Sequence, residues 1–187
     1  GIYLMNCINA KIQNNLIINN PNGICLESTS NCRISGNQII ANDCGIFIGG
    51  SQNNNIYGNN ISENGWGISL GLSMTDPAPN PSPNNSIYHN NFINNGNQAD
   101  AAEYSVNIWD NGYPLGGNYW SDYTGIDEKS GPDQDQIGSD GIGDTPYIID
   151  ADNRDRYPLM GPAHAKIIVQ GQTYCTIHTT SRANDGS

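Results

Sequence analysis

Apolar residues fall into fixed columns through the first hundred positions. Gly1-Ile2-Tyr3-Leu4, Gly23-Ile24-Cys25-Leu26, Gly45-Ile46-Phe47-Ile48 and Gly67-Ile68-Ser69-Leu70 begin about 22 residues apart, a solenoid period. Ile12, Ile34, Ile56 and Ile87 make a further column, and Ile17, Ile39, Ile61 and Phe92 another. Apolar residues two apart, bounded by Gly or Asn, predict short strands with one face turned inward. Three such strands per unit leave no room for a helix, so the pattern predicts an all-β chain wound as a parallel β-helix. A leucine-rich repeat has a similar length, but its leucine consensus is missing.

The polar positions repeat as strictly. Asn15, Asn37, Asn59 and Asn90 share one column, and Asn20, Asn42, Asn64 and Asn95 share a second. Asn tolerates left-handed backbone, which suits corners between strands. Stacked on its equivalents, its amide can also pair up and down the column as a ladder. The fourth unit is interrupted by a proline-rich insertion, Met74 to Pro83, expected to project as a stiff loop that could carry binding.

Composition narrows the function. The net charge is −11 with only seven Lys and Arg, so nothing would neutralise the phosphates of nucleic acid. No apolar run is long enough to span a membrane. The five cysteines show no C-x-x-C pair, which removes a zinc knuckle; a disulfide among Cys7, Cys25, Cys32 and Cys44 stays open. The coil carboxylates Glu27, Asp43 and Glu63 sit at different places in their units and form no stacked acid–base pair. Lys11 and Arg33 do stand one unit apart in the same column, a pair that could meet an anion. The chain opens directly on a repeat, which suggests a piece cut from something longer, and an open first coil suggests end-to-end stacking into a homo-oligomer or filament.

From Gln98 the period is lost and the chain becomes acidic and aromatic. Asp127, Asp133, Asp135, Asp140 and Asp144 lie in a Gly-rich stretch, the hard-oxygen chemistry that calcium prefers, although the same residues also cap turns. Trp109, Tyr119, Trp120, Tyr123 and Tyr147 suit either closure of the open end of a solenoid or a sugar-stacking platform. Beyond Pro162, residues 166–178 read as two strands with a tight turn, and the last residues as a disordered end.

Gly116-Gly117-Asn118-Tyr119-Trp120-Ser121-Asp122-Tyr123, then Asp140-Gly141-Ile142-Gly143-Asp144-Thr145-Pro146-Tyr147 and a closing Asp155-Arg156-Tyr157-Pro158-Leu159 resemble the end of NosD-like β-helix proteins. With the coils, the resemblance spans roughly residues 1 to 160. It implies a right-handed parallel β-helix, an extracellular, cell-surface or periplasmic location, and carbohydrate contact. The family's founding member also implies copper handling. That implication meets few suitable ligands, because His89, His164 and His178 and Met5, Met74 and Met160 are scattered.

These readings divide the chain into coils over residues 1–97, an irregular cap over 98–162 and a hairpin-like tail over 163–187. They favour a non-catalytic surface module that contacts glycans or neighbouring surface proteins. An enzyme acting on polysaccharide (a lyase, epimerase or glycosidase) is the competing class, and copper handling the third.

Overall fold

A computed structural model describes residues 1–72 and 80–163 of the chain. The expected hairpin over 166–178 and most of the proline-rich insertion lie outside the described residues.

Three parallel sheets run the length of the coils. The first contains β1 (Ile2–Met5), β4 (Asn22–Glu27), β7 (Cys44–Gly49), β10 (Trp66–Gly71) and β13 (Asn97–Ala101). The second contains β2 (Lys11–Gln13), β5 (Arg33–Ser35), β8 (Asn55–Tyr57) and β11 (Ser86–Tyr88). The third contains β3 (Leu16–Ile18), β6 (Gln38–Ile40), β9 (Asn60–Ser62), β12 (Asn91–Ile93) and β14 (Tyr119–Trp120). Sequential strands fall in different sheets, and each pairs with its equivalent one coil away. Ile2 lies beside Ile24, Ile24 beside Ile46, and Ile46 beside Ile68. The apolar columns therefore point inward together, and Ile24, Leu26, Ile34, Ile39, Ile46, Ile48, Ile56 and Ile61 are completely buried. The glycine that opens each unit follows from the same stacking. A Cβ on Gly23 would sit 2.6 Å from the Gly45 carbonyl oxygen and 2.8 Å from the Ile39 side chain.

Parallel pairing continues past residue 97. β13 pairs with β10, Ile108 bridges to Ser86, and β14 pairs with β12. This fifth coil is hard to see in the sequence because Ala99, Ala101, Trp109 and Trp120 replace the aliphatic columns. Phe92, Trp120 and Tyr147 form a parallel stack with ring centroids 4.4 and 4.2 Å apart, so the Ile17 column ends in three rings. Two short antiparallel hairpins complete the cap: β15 (Lys129–Ser130) with β16 (Gln136–Ile137), and β17 (Tyr147–Ile148) with β18 (Arg154–Asp155).

The asparagine columns form ladders. Asn37 Nδ2 donates to Asn59 Oδ1 at 2.9 Å, to the Ile12 carbonyl at 2.9 Å and to the Ser35 carbonyl at 3.2 Å. Its Oδ1 accepts the N–H and Nδ2–H of Asn15 at 3.0 and 2.9 Å. Every polar atom of this buried side chain is satisfied. The left-handed backbone expected at the ladder residues sits one position earlier, at Asn14, Gly36, Gly58 and His89. That residue makes the turn, and the asparagine after it is free to point inward.

Two further columns run beside these. Asn54 bonds to Asn85, and Asn85 to Asn107, by the same geometry at 2.9 and 3.1 Å. Thr29, Ser51, Ser82 and Ser105 form a hydroxyl column in which each backbone N–H donates to the next coil's oxygen.

Asn59→Ala is expected to destabilise the protein by about 2–4 kcal/mol, because two buried donors of Asn37 and the Ile34 carbonyl lose their partners. Asn15→Ala, at the exposed end of the ladder, should cost less than about 1 kcal/mol. Urea unfolding measures both, and equal losses would contradict the ladder's role.

Candidate functional site

The far end of the coils is closed by residues from the last hairpin. Asn90 donates to Asn118 Oδ1 through its backbone N–H and its Nδ2, both at 3.0 Å, which extends the first ladder by one rung. The next position is occupied by Asp155, which is completely buried. Its Oδ2 accepts the Asn118 N–H at 2.6 Å and the Trp120 indole N–H at 2.9 Å, and its Oδ1 accepts the Tyr157 N–H at 3.0 Å. Asn153 ends the neighbouring ladder in the same way, accepting the Asn107 N–H at 2.9 Å and the Trp109 indole N–H at 3.0 Å. Both terminal groups come from one short stretch, so a single hairpin stoppers two ladders and the two tryptophans. Beside them, Arg156 makes a two-pronged bond to the buried Asp110 at 2.9 and 2.8 Å.

Trp109 and Trp120 are 1 % exposed and belong to the core, so they offer no face to a ligand. Tyr119 and Tyr123 are half-buried. Tyr123 borders an open cleft of about 500 Å3 lined by Asp122, Thr124, Gly125, Thr145, Pro146, Tyr147 and Ile148. Its hydroxyl donates to the Thr145 carbonyl at 2.6 Å, and the Tyr147 hydroxyl donates to Asp122 at 3.2 Å. Both rings are thereby fixed in place before any ligand arrives. A smaller pocket of about 220 Å3 between residues 101–106 and 150–153 is bordered by Glu103, Asp150 and Asp152. Asp150 there already accepts the N–H groups of Asp152 and Asn153.

The aspartates of the Gly-rich stretch face backbone donors. Asp127 accepts the Ser139 hydroxyl at 2.7 Å and the N–H groups of Asp140 and Gly141 at 3.0 and 2.8 Å. Desolvation raises its pKa, but these donors outweigh it and hold the carboxyl below its usual range. Asp144 accepts the N–H groups of Glu128 and Lys129, and Asp140 the N–H of Ile142. Asp133 and Asp135 are exposed. Among the described residues, no group of three or more His, Cys, Asp or Glu is arranged to hold a metal ion.

Three sheets of stacked parallel strands, closed by side-chain ladders, define a parallel β-helix. The chain belongs to the NosD family, whose model, described as a periplasmic copper-binding protein, matches residues 1–125. No curated protein matches the chain, and no solved structure does. The family is periplasmic, and among the described residues no helix is long and apolar enough to cross a membrane.

Among the described residues, the cysteines and His89 do not gather into a metal-binding group. Cys7, Cys25, Cys32 and Cys44 are free thiols. Burial, followed by the charge of Glu27, pushes Cys25 up to about 11, and burial pushes Cys44 up to about 12. Cys32 Sγ accepts the Ala10 N–H at 3.2 Å, and His89 Nε2 donates to the Leu115 carbonyl at 2.7 Å.

Asp155 belongs to the closing Asp-Arg-Tyr-Pro-Leu motif, but nothing in that motif places it beneath Asn118. Burial pushes its carboxyl up to about 7 against the N–H groups of Asn118, Trp120 and Tyr157. Its pKa is thus higher in the folded state than in the unfolded chain, so the folded state binds more protons between about pH 4 and pH 7. Over that window the contribution of Asp155 makes stability fall as pH rises. Asp110 acts in the opposite sense. Desolvation raises it, but Arg156 and two N–H groups outweigh this and lower it, so its contribution is lost as pH falls below about 4. Asp155→Asn should flatten the melting temperature between pH 4 and pH 7 relative to wild type, and an unchanged slope would remove Asp155 as its source.

Proposed function

We propose that the protein is a non-catalytic, extracytoplasmic β-helix module that presents its cap cleft to carbohydrate. The observation that carries this reading is the cleft itself. Two tyrosine rings, a carboxylate and two threonines converge there, and hydrogen bonds fix the tyrosines beforehand. Aromatic planes with a few placed polar groups are the composition by which sites recognise small polar ligands.

The coils support a structural role. Their buried asparagines, with Thr29, Ser51 and Ser82, are taken up by ladders. Glu27, Asp43 and Glu63 do not stack: Glu27 is buried on the outer side of the first sheet, while Asp43 and Glu63 are exposed at other positions. A paired acid and base, which glycoside cleavage requires, does not arise from them. Asp127 and Asp144 serve their turns in this reading, so binding needs no calcium. The family's character as periplasmic copper-binding proteins favours copper handling as the second reading.

A glycan array probed with the purified chain tests the first reading. Wild type should retain a subset of glycans equally in calcium and in EDTA. Tyr123→Ala should weaken that binding by roughly tenfold or more while leaving the β-sheet spectrum intact. Absence of any glycan binding, together with stoichiometric copper by metal analysis, would favour the second reading instead.

A further inference from the structure

The outer side of the second sheet carries a different arrangement from the cap. Its outward positions are Lys11 and Gln13 on β2, Arg33 and Ser35 on β5, Asn55 and Tyr57 on β8, and Ser86 and Tyr88 on β11. None is a carboxylate, although the chain carries 18 Asp and Glu against seven Lys and Arg. One coil further, by the register of the Ser86–Ile108 bridge, Asp110 takes the place beside Tyr88, but it is buried and held by Arg156. Lys11 and Arg33 are directly opposed in the sheet and both exposed. Like charges in that position repel. Among the described residues the one ion pair is Arg156–Asp110, so neither cation is neutralised by an acid.

Arg33 is instead held over the Tyr57 ring, 5.9 Å from its centroid. Tyr57 stacks on Tyr88 with centroids 5.6 Å apart and planes 7° from parallel. Stacking along the coil axis occupies the ring faces and leaves the half-exposed hydroxyl edges, neither of which has a hydrogen-bond partner among the described residues. The result is two adjacent outward columns, Lys11, Arg33, Asn55 and Ser86 in one and Gln13, Ser35, Tyr57 and Tyr88 in the other, joined where the Arg33 guanidinium reaches over the Tyr57 ring. Strand spacing sets the repeat along each column at about 4.8 Å.

We propose that this face binds an acidic glycan lying along the coil axis, with its carboxylates on Lys11 and Arg33 and its hydroxyls on Tyr57 and Tyr88. Charge complementarity selects the anion, because two unpaired cations stand on a carboxylate-free face of an acidic protein. Arg33 offers a planar fork that matches a carboxylate, and Lys11 a point charge. The neighbouring groups select a polyhydroxylated chain over an acidic peptide. Hydroxyl and amide edges fill the rest of the two columns, and no outward aliphatic side chain is present among these eight positions to receive apolar peptide side chains. This site is separate from the cap cleft, and neither depends on the other.

Calorimetric titration with an oligogalacturonate of defined length tests the proposal. Wild type should bind, and the affinity should fall as sodium chloride is raised. The double variant Lys11→Gln/Arg33→Gln should lose roughly tenfold or more, and Tyr57→Phe, which keeps the ring stack, should lose several-fold. Lys129→Gln/Arg154→Gln makes the same change of net charge at exposed cap positions and should bind like wild type. No binding by wild type would overturn the proposal, as would equal loss in the two double variants. Equal binding of poly-glutamate or of a neutral oligosaccharide of the same length would overturn it as well. Cap-cleft binding is read separately, by the response of neutral glycans to Tyr123→Ala.

Discussion

A chain that turns a corner every few residues while burying that corner must find partners for backbone groups that no strand can take. In this protein an amide or hydroxyl side chain from the adjacent coil does so. Asn59 illustrates the arrangement. Its Oδ1 accepts two hydrogens from the coil on one side, and its Nδ2 donates to the coil on the other and to the Ile34 carbonyl. A buried polar group left unpaired costs about 1–3 kcal/mol, so each rung requires the next. The inward isoleucines give the coils their apolar interior, while the ladders set where each corner lies relative to the last. The constraint also dictates how the structure must end, because a ladder of donors needs a final acceptor. Asp155 and Asn153 are those acceptors, and the cap is organised around delivering them.

Much of this was legible in the sequence, for a physical reason. A repeated corner imposes the same demand at each turn, so Asn15, Asn37, Asn59 and Asn90 recur with the isoleucines in register. The fifth coil was less legible because its interior must also meet the cap, and rings replace aliphatic side chains there. A signal was nevertheless present: Asn107-Ile108-Trp109 and Asn118-Tyr119-Trp120 repeat the asparagine-then-apolar spacing of Asn54-Asn55-Ile56 and Asn59-Asn60-Ile61. Asp155 broke the residue type while keeping the role. At the end of a ladder only acceptors are needed, so a carboxylate replaces the amide, and no local pattern announces it.

The candidate site was partly legible. Aromatic and acidic residues marked the cap, but their division between core and cleft depends on which ring meets the end of which column. Trp120 continues the Ile17 column and Trp109 the Ile12 column, which commits both to the interior. Tyr123 and Tyr147 lie at the rim, where hydroxyls can reach Thr145 and Asp122. The Lys11–Arg33 pair was visible from spacing alone, but the Tyr57–Tyr88 column beside it required the register. The two proposed binding surfaces thus use what the ladders leave over: the outward positions of one sheet and the rim of the cap.

Backbone hydrogen exchange at the ladder corners tests the central claim most directly. The N–H groups of Asn37, Asn42, Asn54, Asn59 and Asn90 donate to side chains, not to strand carbonyls. They should exchange as slowly as the N–H groups of the strand residues Ile34 and Ile56. Exchange of these five at the rate of exposed turns, with the strands still protected, would contradict it.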